Sequence, residues 1–534
     1  MTAAKMTTKP ILLTASPRPS RRFSNRHRRH GRIAAAAVAS FLSLLVTSAA
    51  WFSLVFDPSH RFAINHFRTW DSSISATHSP PLTPSHSPSS PPPQKLASLT
   101  PSPNPNSSSF SPLSLNHIVF GIAGSANLWP RRREFIRLWW RPGVMRGHIW
   151  LDDRVRLSRN ASASLPPVRV SDDISRFRYT NPTGHPSGLR IARIISETFR
   201  LRHRDVRWFM LCDDDTIVSP DNLVAVLSKY DWREMVYVGG PSESHSANIY
   251  FSHAMAFGGG GIAISYPLAE ALAGMQDDCL ERYPKLYGSD DRLHACISEL
   301  GVPLSREYGF HQWDIRGNAH GILASHPVTP FISIHHVEAV DPLYPGLGHL
   351  ESLKLFTKAS RVNPRSFLQR AICYDREKRI TFAVSLGYVV QVFPNIVLPR
   401  ELERSELTYT AWNRAGHRFE FDFDTKDPYR SVCKKSIQFF LKNVFEDGSV
   451  SVSTYTRSNQ GNDLKSKVFC FPHSPPLPHV DEIRILGNPL SDNWHLVPRR
   501  LCCKVDQTVN RTLWLNVRQC ERRELGSVSD SLLP

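Results

Sequence analysis

The feature that most limits the fold of this chain is an alternation of short apolar runs and amphipathic runs between residues 117 and 227. Three apolar runs are typical of buried strands: HIVFGIAG (His117–Gly124), GHIWL (Gly147–Leu151) and VRWFMLC (Val206–Cys212). The runs that follow them have helical character: Arg131–Trp140, Ser187–His203, and a segment with Ser219 as its cap and Pro220 at its first position. This β-α-β-α-β order predicts an α/β fold with a parallel sheet of the nucleotide-binding type.

Three consecutive aspartates, Asp213, Asp214 and Asp215, come directly after the third predicted strand. Ligands of parallel α/β sheets bind at the carboxyl ends of the strands. Strand alternation would place Asp213 and Asp215 on one side, where two carboxylates suit a hard divalent cation such as Mn²⁺ or Mg²⁺ together with phosphate oxygens. An isolated acidic triplet is most often a solvated turn, but its place at a strand end favours an ion and a nucleotide here.

Two further segments have both a structural and a chemical interpretation. The glycine run Gly258–Gly261 is either a flexible turn or a backbone platform for a sugar, centred on Gly259 and Gly260. No lysine follows it, so it is not a phosphate-cradling loop of the P-loop type. Asp290 and Asp291 open an apparent helix, where they either cap the helix or supply a general base.

A histidine pair, His335-His336, follows an apolar run that is typical of a strand. Such a pair is most often polar surface or satisfied core, but neutral imidazole is also the commonest metal ligand. Alternation puts the two side chains on opposite faces, so we expect only one of them to join the aspartates.

The first 114 residues have the layout of a membrane anchor and its spacer. A basic tail (1–32) precedes 24 uncharged residues (33–56), which are long enough to cross a bilayer as a helix. Residues 57–114 form a Pro/Ser-rich stem. The positive-inside rule keeps the tail cytosolic, which predicts a single-pass type II membrane protein. An organelle transit peptide is the competing interpretation.

The charge balance bears on the partners of the chain. The formal net charge is +18, and nine of these charges lie in the acid-free tail. The excess therefore says little about a binding face, and we expect no nucleic-acid partner. After residue 364 the sequence becomes rich in strand patterns, and five of the nine cysteines lie in its last hundred or so residues. We expect a catalytic domain over 115–364 and a β-rich, disulfide-containing C-terminal domain over 365–534.

Five segments, taken together and in this order, resemble the Fringe-related β-1,3-glycosyltransferases, which include core 1 galactosyltransferase. They are CDDDT, FGGGGIAIS, GSDDRL, GFHQWD and SIHHVEAVDPLYP. The similarity is greatest to the plant branch of Fringe-related proteins and covers roughly His117 to Pro345. One departure is Ser289, which stands where Fringe usually has proline.

The resemblance implies a GT-A fold, a UDP-sugar donor, Mn²⁺ and inversion at the anomeric carbon. Residue by residue, it implies metal binding by Asp213 and Asp215, a donor contact by Asp214, and a catalytic base at Asp291. It also implies that His335 completes the metal site, with His311 in reserve because Fringe itself draws its histidine from the FH segment.

We therefore expect a Golgi membrane glycosyltransferase that uses a UDP-sugar and a glycan or glycoside acceptor. The anchor would be residues 33–56, and a homo-oligomer is compatible with the layout. The alternative is a non-catalytic glycan- or nucleotide-binding protein on a GT-A fold. Nothing in the sequence names the donor sugar or the acceptor.

Overall fold

A computed structural model describes residues 111–156, 163–412, 420–458, 477, 479–522 and 524. The predicted tail, anchor and nearly all of the stem lie outside these residues. Within them, no helix combines the length and apolar character that a membrane span requires. Residues 106–534 group as one compact unit, to which everything below belongs.

The first eleven strands build the α/β part of the unit. They are β1 (Ile118–Ala123), β2 (Arg146–Leu151), β3 (Val168–Val170), β4 (Trp208–Asp213), β5 (Ile217–Val218), β6 (Tyr237–Gly239), β7 (Ile262–Ser265), β8 (Leu304–Arg306), β9 (Phe310–His311), β10 (Ile315–Gly317) and β11 (Ser333–Ile334). Seven of them form one sheet in the order β3-β2-β1-β4-β7-β6-β8. The first four strands in that order are parallel, while β7 is antiparallel to both of its neighbours. The predicted α/β class is confirmed, whereas the antiparallel β7 was not predicted.

The strand order reverses between β1 and β4. The chain runs outward from β1 to β2 and β3, then returns to β4 on the other side of β1. A crevice at the carboxyl ends of two such strands is the usual ligand site of an open α/β sheet. Here β4 ends at Asp213, and the amide of Asp214 donates to the carbonyl of Ala123 at 2.9 Å. The aspartate triplet therefore lies at the switch point of the sheet.

Helices cover both faces of the sheet. The helices of the described residues are α1 (Trp129–Trp139), α2 (Ser187–Ala192), α3 (Ile194–Arg200), α4 (Pro220–Leu227), α5 (His245–Tyr250), α6 (Tyr266–Arg282), α7 (Ser289–Glu299), α8 (His320–Ala324), α9 (His349–Val362) and α10 (Pro399–Glu403). The helix predicted over 187–203 is interrupted at Arg193 and ends at Arg200. Phe209 of β4 packs in one hydrophobic cluster with Ile194, and Met210 packs in the other with Leu223. Successive strand residues thus face opposite layers.

A small three-stranded sheet brings distant segments to the switch point. Strand β5 starts two residues after Asp215 and pairs antiparallel with β11, which pairs parallel with β9. Ile334 stands opposite both Ile217 and His311. His335 directly follows β11. The pairing of β11 with β5 and β9 therefore places His335 beside the aspartates.

The remaining strands form a second large sheet with two short accessory pairs. They are β12 (Arg370–Asp375), β13 (Ile380–Ser385), β14 (Val389–Phe393), β15 (Ser405–Glu406), β16 (Tyr409–Ala411), β17 (Thr425–Lys426), β18 (Ile437–Asp447), β19 (Val450–Arg457), β20 (Glu482–Gly487), β21 (Cys502–Val509) and β22 (Thr512–Arg518). Eight of them follow the order β12-β13-β14-β18-β19-β20-β22-β21. The two edges meet, since Ala371 bridges Leu501 and a disulfide joins Cys373 to Cys503. The sheet therefore curls until its edge strands touch.

The hydrophobic core is continuous across the predicted domain boundary. One cluster holds Phe120 of β1 and Val517 of β22. The boundary at 364/365 falls between α9 and β12, where the chain changes from α/β to mainly strand. The division into two domains stays a prediction.

Disulfides occur in both parts of the unit. The described pairs are Cys279–Cys296, Cys373–Cys503 and Cys502–Cys520, and Cys433 is also disulfide-bonded. Among the described residues Cys212 is the free thiol, and it is buried in β4. The first pair ties α6 to α7, the helix that begins with the second acidic pair.

Candidate active site

The aspartate triplet forms a tight turn at the end of β4. The Asp213 amide donates to Thr216 Oγ1 at 3.2 Å, and this hydroxyl donates to the Gly259 carbonyl at 2.7 Å. The Asp213 side chain is 31% exposed and the Asp215 side chain 3%. The turn thus presents one carboxylate at the crevice and buries the other beneath it.

Asp213, Asp215 and His335 come together at one point. His335 Nε2 lies 3.4 Å from Asp213 Oδ2 and 3.2 Å from Asp215 Oδ1. One atom from each side chain can be chosen so that all three lie within 4.8 Å of one another. The structure therefore places three predicted metal ligands in one cluster, while their role as ligands stays a prediction.

Gln312 fixes the orientation of the His335 ring. His335 Nδ1 lies 3.2 Å from Gln312 Oε1, which also accepts a hydrogen bond from the Gly260 amide at 2.9 Å. A proton on Nδ1 satisfies this contact and directs Nε2 at the carboxylates. Histidine ligands of metals are commonly held in this way by a partner on their second nitrogen.

His336 stays outside the cluster, but not through strand alternation. It adopts a left-handed φ of 57°, and its ring stacks on the His335 ring at 3.8 Å and on Trp412 at 4.4 Å. Its Nδ1 lies 3.2 Å from Asp314 Oδ1. A non-glycine residue in this region of backbone space persists only where its surroundings hold it, and such residues are frequent at functional sites.

Arg132 of α1 offsets part of the acidic charge. Its guanidinium donates to Asp214 Oδ1 at 2.8 Å and lies 2.9 Å from Asp215 Oδ2. It also reaches Glu338 Oε2 at 3.2 Å. Sequence reasoning missed Arg132, because only the phase of α1 decides which of three consecutive arginines faces the crevice.

The titration behaviour follows from burial and these contacts. Burial alone would raise the pKa of Asp215, but His335 and Arg132 outweigh it and hold that pKa well below its usual range. Burial would lower the pKa of His335, yet Asp215 and Asp213 raise it to about 10. The proton on His335 thus supplies positive charge at the point where a cation would act, and a bound metal would displace it.

Asp214 is the most deeply buried acid of the triplet, and its described partner is Arg132. It is 1% exposed, and burial raises its pKa to about 7 against the attraction of Arg132. A Cβ on Gly124 would come within 2.8 Å of Asp214 Oδ2, so the carboxylate is packed against β1. The donor contact that the resemblance implied for Asp214 stays a prediction, and Asp214 Oδ2 has no hydrogen-bond partner among the described residues.

The two central glycines pack against His335 and Gln312. A Cβ on Gly259 would lie 2.1 Å from His335 Cε1, so glycine is required for the ring to fit. The Gly260 amide is taken by Gln312, and the Gly260 carbonyl accepts from the Ser333 hydroxyl. These contacts give the two glycines a structural role, and the sugar platform at them stays a prediction.

Asp291 and its neighbour Asp290 have different environments. Both Asp291 oxygens accept backbone hydrogen bonds, from Tyr287 N at 2.7 Å and Gly288 N at 2.9 Å, which caps α7. Asp290 Oδ1 lies where a Cβ on Gly258 would come within 2.5 Å. Burial and the charge of Asp213 raise the pKa of Asp290 to about 7. Asp291 therefore caps α7 and Asp290 lies beside the glycine loop, while the role of Asp291 as the catalytic base stays a prediction.

His311, the reserve ligand, does not join the cluster. Its Nδ1 lies 2.9 Å from Glu243 Oε1 and its Nε2 lies 3.1 Å from His326 Nε2. It points away from the aspartates because Gln312, the next residue, takes the His335 side of the strand.

The cluster fits a divalent cation on two observations. Asp215 Oδ1 is buried without a hydrogen-bond partner among the described residues, although His335 Nε2 is near. The donor set of two carboxylates and one imidazole suits Mn²⁺ or another divalent metal.

Comparison with known proteins gives a partial likeness. A family described as "Protein of unknown function, DUF604" matches residues 247–503, a range that includes Asp290 and His335 but not the aspartate triplet. The β-1,3-glucosyltransferases of Mus musculus and Homo sapiens are 29% and 32% identical to this chain over 120 residues. That stretch is 22% of this chain and 23% of each relative, so the chain spans about a quarter of their length.

Solved structures of glycosyltransferases show a weaker likeness. One is a glycosyltransferase involved in glycosylation of the major capsid of PBCV-1, with a TM-score of 0.23 and 9% identity over 44% of this chain and 97% of that one. Another is mouse xyloside xylosyltransferase 1, also with a TM-score of 0.23 and 9% identity, over 34% of this chain and 80% of that one. TM-scores this low carry no weight, so the site must be judged from its own geometry.

Proposed function

We propose that this chain is an inverting, metal-dependent glycosyltransferase. It would transfer a hexose or N-acetylhexosamine from a UDP-sugar to a hydroxyl of a glycan or glycoside, forming a β-1,3 linkage. The observation that carries the proposal is the cluster of Asp213, Asp215 and His335 at the switch point of the sheet. The partial similarity to β-1,3-glucosyltransferases supports the reaction class and the linkage.

The cluster would hold Mn²⁺ or Mg²⁺ through Asp213, Asp215 and His335. When bound, the cation would stabilise the negative charge that develops on the diphosphate leaving group. Gln312 would keep His335 in the correct tautomer, and Arg132 would stabilise the buried side of Asp215. These positions are set before the substrate arrives, which is what electrostatic stabilisation of a transition state requires.

We assign the general base to Asp290 rather than Asp291. In the transfer, Asp290 accepts the proton of the acceptor hydroxyl while that oxygen attacks the anomeric carbon. The bond from that carbon to the diphosphate oxygen breaks, and the configuration inverts. Asp290 suits this role because its carboxylate lies beside Gly258 and the charge of Asp213 helps to raise its pKa to about 7, whereas both oxygens of Asp291 accept backbone amides that cap the helix.

The location of the protein is part of the proposal. A cytosolic tail, an anchor over residues 33–56 and a stem would place the catalytic unit in the Golgi lumen. The disulfides of the described residues fit an oxidising compartment of this kind.

The test is release of UDP from a panel of UDP-sugars by the full chain, with Mn²⁺ or with EDTA. We expect release with one sugar, dependent on metal and lost in Asp215→Asn. The matched control is Asp278→Asn, an exposed acid of α6, which should keep the activity. Metal-dependent UDP binding without release, in the presence of varied glycan acceptors, would instead identify a non-catalytic binding protein.

A further inference from the structure

A second cavity lies on the other side of β9 from the metal cluster. Its volume is about 380 Å³, which is within the range of small-molecule sites. His311 lines this cavity, whereas the next residue, Gln312, contacts His335 of the metal cluster. The cavity is bounded by the loop after β6, by strands β8 and β9, and by Arg370 at the start of β12.

Most acidic residues of the cavity already have partners. Glu243 contacts His311 and the Trp313 amide, and Glu307 contacts Lys229 and Tyr230. Asp422 contacts His245 and Asn248. Asp424 contacts Arg400. Glu403, at the end of α10, is exposed to solvent. Among the described acids of the wall, Glu403 is therefore the one whose charge is left to act on Arg370.

The side chain of Arg370 carries a positive charge that no described ion pair offsets. It is 5% exposed and lines the cavity, yet its guanidinium makes no hydrogen bond or ion pair with any residue that the structure describes. Burial lowers its pKa to about 10, and the charge of Glu403 opposes this effect. A guanidinium that lines a cavity and has no described partner is free to bind an anionic group there.

The rest of the wall indicates the class of that ligand. A guanidinium recognises a planar carboxylate through two parallel hydrogen bonds. Tyr308 stands at the rim with 59% of its surface exposed, and Arg306 lies 4.7 Å above its ring. Phe310 and Phe423 add apolar surface inside. Aromatic faces beside polar groups suit a sugar ring, which has apolar C–H faces and polar edges.

We propose that this cavity binds a carboxylate-bearing sugar, such as a uronic acid residue of a glycan, with its carboxylate on Arg370. The choice of a sugar rests on the proposed function, whereas the choice of a carboxylate rests on Arg370 alone. The site is separate from the metal cluster and would engage a charged sugar of the acceptor away from the reaction centre.

The experiment is ligand-observed NMR on the full chain with glucuronate and galacturonate, against glucose and galactose as neutral matches. Acetate and inorganic phosphate complete the panel. We expect saturable binding of the two uronates and at least tenfold weaker binding of the neutral sugars. Equal binding of acidic and neutral sugars, or tighter binding of phosphate than of uronate, would overturn the proposal.

Three variants locate the site. Arg370→Gln should lose uronate binding, while Arg376→Gln, an exposed arginine in the turn after β12, should keep it. Tyr308→Ala changes an exposed side chain, so it should fold normally and weaken uronate binding more than acetate binding. Because the Arg370 guanidinium is unpaired, Arg370→Gln should have a melting temperature at or above that of the parent. Unchanged uronate binding in Arg370→Gln would show that the carboxylate binds elsewhere and would contradict the proposal.

The two proposals can fail separately. The NMR titrations use EDTA and no nucleotide, and uronate binding should persist in Asp215→Asn. Loss of UDP release with uronate binding intact would reject the transferase alone. Intact UDP release without uronate binding would reject only the second site.

Discussion

A contact at Nδ1 holds the His335 ring, which leaves Nε2 available to bind a metal. Gln312 engages Nδ1, and Gly259 leaves room for the ring, which directs Nε2 at Asp213 and Asp215. Residues that act only through His335 should therefore change metal affinity without touching the metal.

We predict that Gln312→Ala weakens Mn²⁺ binding by roughly 10- to 100-fold, the usual cost of losing a partner behind a histidine ligand. The reason is that the His335 ring loses its fixed tautomer and orientation. Titration of Mn²⁺ followed by electron paramagnetic resonance measures the affinity, with Asp278→Asn as control. An unchanged affinity would show that Gln312 does not position the ligand.

The two neighbouring acids of α7 should behave differently when each is neutralised. Asp290→Asn should reduce UDP-sugar turnover by at least 100-fold with normal stability, because it removes the base. Asp291→Asn should lower the free energy of unfolding by about 1 kcal/mol, because it weakens the cap. Turnover and urea unfolding of both variants decide the assignment. Loss of turnover in Asp291→Asn alone would return the role of base to Asp291.

At the scale of elements, close packing between the glycine loop and β11 decides whether the cluster can form. A Cβ on Gly259 would overlap the His335 ring, whereas a Cβ on Gly274 in α6 would meet nothing within 4 Å. We predict that Gly259→Ala displaces His335 and loses Mn²⁺ binding. Gly274→Ala should keep it and gain about 0.5–1 kcal/mol of stability from helix propensity. Normal Mn²⁺ affinity in Gly259→Ala would contradict the packing argument.

Helices α3 and α6 share a buried charge network whose effect depends on pH. Arg193 binds Glu197 at 3.0 Å and Asp277 at 2.8 Å. Burial raises the pKa of Glu197 to about 7, above its value of 4.5 in the unfolded chain. The folded state therefore holds a proton that the unfolded state has lost, and stability falls as the pH rises from about 4.5 to 7.

We predict that this fall is smaller in Glu197→Gln, which cannot titrate. The difference between variant and parent should be on the order of 2 kcal/mol across the interval from pH 5 to 8, since one pKa unit corresponds to about 1.4 kcal/mol. Urea unfolding at both pH values provides the measurement. Parallel pH dependence of the two proteins would mean that Glu197 is ionised in the folded state.

At the scale of the whole molecule, the local part of the fold could be predicted from sequence and the long-range part could not. The strands β1, β2 and β4 and the position of the aspartates follow from short apolar runs and strand ends. The antiparallel β7 and the closure of β12 on β21 depend on pairings between distant residues, which periodicity does not encode. Arg132 and Gln312 were missed for the same reason, because each becomes part of the site only through tertiary contacts.

The roles of Asp290, Asp291 and Asp214 likewise could not be predicted from sequence spacing alone. The spacing of Asp290 and Asp291 could indicate a cap or a base, and the two interpretations remained equal at the level of sequence. The hydrogen bonds that Asp291 accepts from the Tyr287 and Gly288 amides show the cap, which sequence spacing could not, and the assignment of the base stays a proposal. Likewise, the burial of Asp214 appears only once β1 and β4 are paired.

The central claim is that Asp213, Asp215 and His335 hold a divalent cation that binds a nucleotide diphosphate. The most direct measurement is Mn²⁺ binding by the full chain, with and without UDP, in the parent, Asp215→Asn and Asp278→Asn. We predict that the parent and Asp278→Asn bind Mn²⁺ and bind it more tightly when UDP is present. Asp215→Asn should lose both the Mn²⁺ binding and its enhancement by UDP. Mn²⁺ binding of equal strength in Asp215→Asn, or no influence of UDP on the parent, would contradict the account.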